Sequence, residues 1–186
     1  MTSPTPGQTG AVRVRPARTD EAAALADVAA ATFVLACPPS TSPEAVAAVL
    51  RDALAPANFA AYLADPDRLL LVADDGSDLL LGYSMLVFGE PQDADAAAAI
   101  SIRPTAELSK CYLRLEAHGT GAGAALMTAT LEAARQRGAA GMWLGTSQVN
   151  ARAQRFYDKH EFRRVGVKRF RLGDRYEDDF VFERAL

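Results

Sequence analysis

The stretch with the most chemical content is Leu113-Arg114-Leu115-Glu116-Ala117-His118-Gly119-Thr120-Gly121-Ala122-Gly123. Strand-forming residues precede it, and residues with helical spacing follow at once. Such a turn leaves backbone N–H groups free at the start of a helix, where they hold a phosphate or pyrophosphate without needing a cationic side chain. Glycines let the backbone approach the anion closely. A Walker phosphate loop would end in Gly-Lys-Ser or Gly-Lys-Thr, but Ala124-Ala125 follows Gly123, so that reading fails. A dinucleotide fingerprint needs Gly-x-Gly-x-x-Gly. Gly119, Gly121 and Gly123 are spaced Gly-x-Gly-x-Gly, late in the chain and without a convincing acidic partner. On these residues alone, a glycine-rich helix start with no ligand stays open. The other reactive side chains are sparse. Cys37 and Cys111 form no Cys-x-x-Cys and no cluster with His118 or His160, so neither a disulfide framework nor a metal is expected, and a cysteine nucleophile lacks a basic partner.

The elements that must position this turn can be read from the pattern. Val12 to Arg15 alternates as a strand. Thr19-Asp20-Glu21 opens a helix through Leu25, Val28 and Phe33, ending before Pro38-Pro39. Ser42-Pro43-Glu44 opens a second helix with Val46, Val49, Leu50 and Leu54 on one face, and residues 58–64 form a short third. Leu69-Leu70-Leu71-Val72 and the run from Leu79 to Phe88 read as a hairpin around Asp74-Asp75-Gly76. Residues 89–105 read as a long loop. Residues 106–114 are a strand, 121–137 a helix stopped by Gly138, and 142–144 a short strand. Residues 150–160 are a helix, and 162–171 with 176–182 are two strands joined at Leu172-Gly173-Asp174. The expected fold class is α/β, with helices flanking a mixed sheet.

Composition sets the outer limits. A chain of 186 residues with 49% hydrophobic residues fits one globular domain, here residues 11–186. Residues 1–10 are mostly Thr, Ser, Pro and Gly without an apolar run, and read as a disordered leader rather than a signal peptide. Nothing approaches a membrane span, so a cytoplasmic setting without membrane is expected. A net charge of −3 argues against a protein built to grip nucleic acid. The 38 alanines mean that the apolar percentage overstates the core, and three lysines stand against seventeen arginines.

Beyond these limits, the chain resembles the GCN5-related N-acetyltransferases, the GNAT superfamily. His118-Gly119-Thr120-Gly121-Ala122-Gly123 is similar to that family's Arg/Gln-x-x-Gly-x-Gly/Ala loop, with His at the first place. Residues 106–113 resemble its fourth strand and Trp143-Leu144-Gly145-Thr146 its fifth. Asn150 to Phe162 resembles its Asn-x-x-Ala-x-x-Phe-Tyr-x-x-x-Gly-Phe helix, with Glu161 in place of the last Gly. The resemblance covers nearly the whole chain and implies the GNAT acyl-CoA N-acyltransferase fold, with a mostly antiparallel mixed sheet. A weaker likeness, in residues 172–180, is to the Gly-Asp-x-x-x-x-Asp ending of a bacterial polyamine-acetylating branch.

The resemblance also implies a mechanism, in which an acetyl group passes directly from the acetyl-CoA thioester to a primary amine, with no metal. It implies main-chain contacts to the cofactor from Tyr112, Leu113 and Arg114, with the Leu113 N–H as oxyanion donor. The backbone of His118, Gly119, Thr120, Gly121, Ala122, Gly123 and Ala124 would hold the pyrophosphate. Asn150 would reach the pantetheine arm, a role compatible with a plain helix cap. Glu107 is the candidate general base, against an exposed strand-end carboxylate. Tyr157, which also borders the cofactor, is the candidate acid for the departing thiolate, against a ring packed beside Phe156. His118 is expected at the pyrophosphate or solvent, His160 as a helix-end residue suiting the negative end of the dipole, and Trp143 in the core. Acids at Asp93, Asp95, Asp174, Glu177, Asp178 and Asp179 would suit a cationic acceptor such as a polyamine, flanked by the first two helices and the 89–105 loop. Residues 150–186 carry ten basic and seven acidic groups, a surplus expected on the cofactor side. An acceptor that is a protein N-terminus or an antibiotic, a non-catalytic acyl-CoA-binding domain, and a homodimer also remain open.

Overall fold

The computed structural model describes residues 11–186 except 38–40, 78 and 173–174. The expectations for the leader, for Pro38-Pro39 and for the Gly173-Asp174 turn lie outside the described residues. Among the described residues there are seven strands: β1 (Arg13–Pro16), β2 (Arg68–Asp74), β3 (Gly82–Phe88), β4 (Thr105–Leu113), β5 (Gly141–Ser147), β6 (Arg163–Leu172) and β7 (Arg175–Ala185). They form one sheet in the order β1-β2-β3-β4-β5-β7-β6, antiparallel at every pairing except β4–β5. The helices are α1 (Ala22–Ala36), α2 (Pro43–Asp52), α3 (Pro56–Ala64), α4 (Ala94–Ala99), α5 (Ala122–Gln136) and α6 (Ala151–Lys159).

The continuous apolar run of β2 reflects cover on both faces of the sheet. Leu70 and Val72 pack with Leu25, Val28, Phe33 and Phe59 of α1 and α3. Leu71 and Ala73, pointing the other way, pack with Leu126 of α5. Further along, Met127, Leu131 and Ala134 of α5 meet Leu86, Leu108, Met142 and Leu144. Local chemistry fixes the helix starts. The Ser42 hydroxyl accepts the Ala45 N–H at 3.2 Å before Pro43, and the Asn150 carbonyl oxygen accepts the Ala153 N–H at 3.0 Å.

Residues 89–105 are not one long loop. The Asp93 carboxylate caps α4, and Ala96 and Ile100 pack on Trp143 and Val181. A run of four alanines carries too little apolar contrast to mark a six-residue helix, and the residues that bury Ala96, Trp143 and Val181, come much later in the chain.

Two irregularities of the sheet build a site. Strands β4 and β5 pair over Thr105↔Gly141, Ala106↔Met142 and Glu107↔Trp143, and then no further. On the other edge of β4, the register with β3 steps from Leu86↔Leu108 to Met85↔Lys110, so Ser109 is an extra, bulged residue.

Candidate active site

Where β4 and β5 part, a cavity of about 800 Å³ opens. The Arg114 N–H donates to Leu81 O at 2.8 Å, on the β3 side. Antiparallel bonds alternate along a strand, so Tyr112 shares that direction, and Leu113 turns its N–H and carbonyl to the opposite, open edge. This corrects the expectation for two of the three residues. The main chain of Tyr112 and Arg114 is committed to β3, and only Leu113 presents peptide groups to the cavity. The Arg114 side chain is also turned away, donating to Leu80 O at 3.0 Å, while the Tyr112 ring lines the cavity.

The glycine turn is held in shape by its own backbone. Gly119 (φ 79°) and Gly121 (φ 91°) sit in the left-handed region that only glycine enters cheaply. The N–H groups of His118 and Thr120 are taken by Leu115 O and Ala117 O, and that of Ala122 by the Thr120 hydroxyl. The N–H groups of Gly119, Gly121, Gly123 and Ala124 have no acceptor among the described residues, and these four residues line the cavity. Thr120 and Ala122 do not line it; they shape the turn. The observed set of anion-ready amides is therefore four of the seven residues from His118 to Ala124.

His118 does something the sequence did not suggest. Arg152 lies 3.2 Å from His118 Nδ1, and a guanidinium can only donate, so Nδ1 accepts and Nε2 carries the proton. Nε2–H then donates to Leu113 O at 3.1 Å. The imidazole braces the carbonyl of the strand end and is not directed to solvent. His160 stands at the end of α6, as expected. Burial and then the nearby Arg184 push its pKa down, and its ring lies 4.6 Å from that of Phe156. Glu161, in the place of the glycine of the resemblance, takes φ 65° and pairs with Arg184 at 2.9 Å.

Tyr157 is buried by Phe156, Phe162 and Phe182, lines the cavity, and its hydroxyl bonds to no described group. Burial lifts its pKa well above that of an ordinary phenol, so it keeps its proton. Cys111, also at the cavity, is pushed up to about 12 by burial and stays a thiol. Asn150 combines cap and cavity lining. Trp143 is core.

The bulge at Ser109 decides the other wall. Side chains three apart on a regular strand face opposite ways. The extra residue returns Lys110 to the face of Glu107, with Tyr112 beside it, beneath α1 and α2. Glu107 is partly buried, and that burial raises its pKa against the opposing pull of Lys168, Lys110 and Arg68. Burial lowers Lys110, whose ammonium lies 5.4 Å from the centre of the Tyr62 ring. Of the acids expected at an acceptor mouth, Asp179 lines the cavity, whereas Asp93, Asp95 and Asp178 do not; Asp174 and the Glu177 side chain lie outside the description. Nor does any residue of 89–105 line it, although α1 and α2 do. The basic surplus splits too. Arg152 borders the glycine turn, but Lys168 is on the Glu107 face. Sequence reasoning missed Lys110 and counted Lys168 with the basic surplus of the cofactor side; the signal available was the rarity of lysine in this arginine-rich chain, and all three lysines line the cavity.

Comparison with known proteins agrees with this geometry. Residues 33–162 match the profile of the Acetyltransferase (GNAT) family. Uncharacterized N-acetyltransferases of Mycobacterium tuberculosis and Mycobacterium bovis are 47% identical over 163 residues, covering 87% of this chain and 96% of theirs. Among solved structures, the PaiA N-acetyltransferase of Thermoplasma acidophilum in complex with coenzyme A superposes with a TM-score of 0.74 at 19% identity, covering 95% of this chain and 99% of that one. The YncA protein of Salmonella typhimurium, solved with its cofactor acetyl-CoA, gives 0.65 at 21% identity and 95% coverage of both. At these identities the two structures speak for the fold.

Proposed function

Since the chain belongs to the acetyltransferase (GNAT) family, we propose that its cavity takes acetyl-CoA along the α5–α6 wall and an amine along the α1–α2 wall. The enzyme is an N-acetyltransferase that moves the acetyl group directly from thioester to amine. The observation that carries this reading is the meeting of three groups at one cavity: the Glu107 carboxylate, the outward Leu113 N–H and the Tyr157 hydroxyl.

Each group has a task. The free amides of Gly119, Gly121, Gly123 and Ala124 fit a pyrophosphate, and Arg152 and Lys159 on the same wall add positive charge. The open edge of β4 leaves room for an extended amide-bearing arm to lie beside the strand. An alkyl ammonium must lose a proton before it attacks, and Glu107, its pKa raised by burial, is a better base than a solvated carboxylate. The Leu113 N–H is placed to hold the oxyanion, and the Tyr157 O–H to protonate the sulfur as it leaves.

The test is thiol release from acetyl-CoA across a panel of primary amines, with acetyl-CoA binding measured in parallel. Turnover with at least one amine is the expected result. Tight binding with no turnover on any amine would instead identify an acyl-CoA-binding domain.

A further inference from the structure

The two faces of β4 look onto different parts of the cavity. Leu108 and Cys111 pack into the core beneath α5. Tyr112 packs with the core beneath α1 and α3, and the bulge at Ser109 brings Glu107 and Lys110 to that same face. The glycine turn leads into α5, on the other face. An amine that gives its proton to Glu107 must therefore lie on the α1–α2 side.

That side is apolar where the two helices form it. Phe33 and Leu35 of α1, Val49 of α2, and Ala53 and Leu54 just past its end line the cavity. Thr32 and Cys37 stand among them, but both are turned back on α1. The Thr32 hydroxyl donates to Val28 O at 2.6 Å and the Cys37 thiol to Phe33 O at 3.4 Å. No acid of α1 or α2 lines the cavity among the described residues. Leu35 is 46% exposed, so apolar surface on this wall stands in water and gains from being covered.

Charge is gathered at the opposite end. Lys168 has Asp93 3.9 Å from its ammonium and Asp179 opposite it on β7. Arg68, which also acts on Glu107, is paired with Asp65 at 2.9 Å. Among the described residues, Glu107, Asp93 and Asp179 then stand against Lys110 and Lys168, which suits one incoming ammonium. A second ammonium carried along the α1–α2 wall would lose its hydration against hydrocarbon with no carboxylate to meet it. A carboxylate would lose its hydration there as well, and Lys110 is already held 5.4 Å from the centre of the Tyr62 ring.

We propose that the acceptor is a lipophilic primary monoamine, its single nitrogen facing Glu107 and its hydrocarbon body lying along α1 and α2. This rests on the acetyl-transfer reading above and names its substrate class. Leu35 and Val49 act as specificity residues. The chemistry is unchanged: the nitrogen–carbon bond forms, the carbon–sulfur bond breaks, the ammonium proton goes to Glu107, and the thiolate takes one from Tyr157.

The test uses the full chain, acetyl-CoA and two sets of amines. Propylamine to hexylamine differ in length alone. Hexylamine, hexane-1,6-diamine and 6-aminohexanoate differ at the far end of a six-carbon chain. The proposal predicts that kcat/KM rises about two- to fourfold per methylene, and that hexylamine exceeds both charged-tail chains at least about tenfold. Leu35→Ser and Val49→Thr should each shrink the hexylamine-to-propylamine ratio while KM for acetyl-CoA holds. The exposure of Leu35 keeps the first variant folded even if the second loses stability. A flat series, or a charged tail that matches hexylamine, overturns the proposal and leaves acetyl transfer standing. So does a ratio that survives both variants, or a rise in KM for acetyl-CoA in its place, since the wall would then belong to the cofactor. No turnover with any of these chains overturns it too, and the broader amine panel then decides whether acetyl transfer falls with it.

Discussion

Glu107→Gln tests the centre of the mechanism. The substitution keeps the shape of the side chain and removes its ability to accept a proton. Glu107 makes no hydrogen bond or ion pair with a described residue, so the amide strands no partner. Its pKa is raised in the folded protein by burial, and the sign of the stability effect follows. Below about 4.5 the acid is neutral in both states and contributes nothing. As pH rises towards the folded pKa, the unfolded chain loses its proton first and the folded state loses stability, a penalty that stays constant above. Gln carries no such penalty, so the variant should be at least as stable as the parent near neutral pH. The rate should behave oppositely. An alkyl amine of pKa about 10.4 is neutral in about one molecule in a thousand near physiological pH, and without a base only that fraction reacts. Thus kcat should fall about 10²- to 10³-fold. It should then climb about tenfold per pH unit towards the amine pKa, while the parent levels off once Glu107 is ionised. Thiol release across neutral to alkaline pH, with calorimetric titration of acetyl-CoA, separates the possibilities. A kcat within threefold of the parent, or an unchanged pH slope, refutes the base assignment. An equal loss of acetyl-CoA affinity would point to a structural role instead.

Other perturbations reach other parts of the site and fold. Tyr157→Phe keeps the ring contacts with Phe156, Phe162 and Phe182 and removes a hydroxyl that bonds to no described residue. Stability should move by no more than about 0.5 kcal/mol and acetyl-CoA affinity little, while kcat drops about 100-fold; undiminished turnover would rule out the acid role. Gly121→Ala forces an L-residue to φ 91°, costing about 1–2 kcal/mol in chemical denaturation and weakening acetyl-CoA in titration by tilting the free amides of the turn. Arg15→Met removes bonds of 2.7 and 2.9 Å to the buried Glu21, and one of 2.9 Å to Asp74. The loss should be about 1–3 kcal/mol at neutral pH. The hydrogen bond from Arg15 holds Glu21 below its ordinary pKa, so that stability is present above about 4.5 and disappears as pH falls through the folded value. Urea melts of parent and variant should therefore converge in acid.

Much of this protein was legible before folding was considered. Strand alternation, helix caps at Ser42 and Asn150, and the strand–glycine–helix order around residues 113–123 are local signals, each set by the backbone chemistry of a few neighbouring residues. They named the anion turn and, through the resemblance, Glu107, Leu113 and Tyr157. The α4 helix was hidden because its alanines acquire meaning only against Trp143. The bulge at Ser109 could not be read either, since a strand shows its extra residue only opposite a partner, and on that residue depends whether Lys110 faces Glu107 or turns away. His118 matched a loop position in sequence, but its ring direction depends on Arg152, 34 residues later. Lys168 looked like part of a basic cofactor surface until the order β5-β7-β6 carried it across Gly145. The sequence by itself determined that a strand would run through a glycine turn into a helix and where the helix caps would lie, because those are properties of short segments. Only the tertiary structure decided which charges share a wall, because strand order and register bring together residues as far apart as Glu107, Gly145 and Lys168.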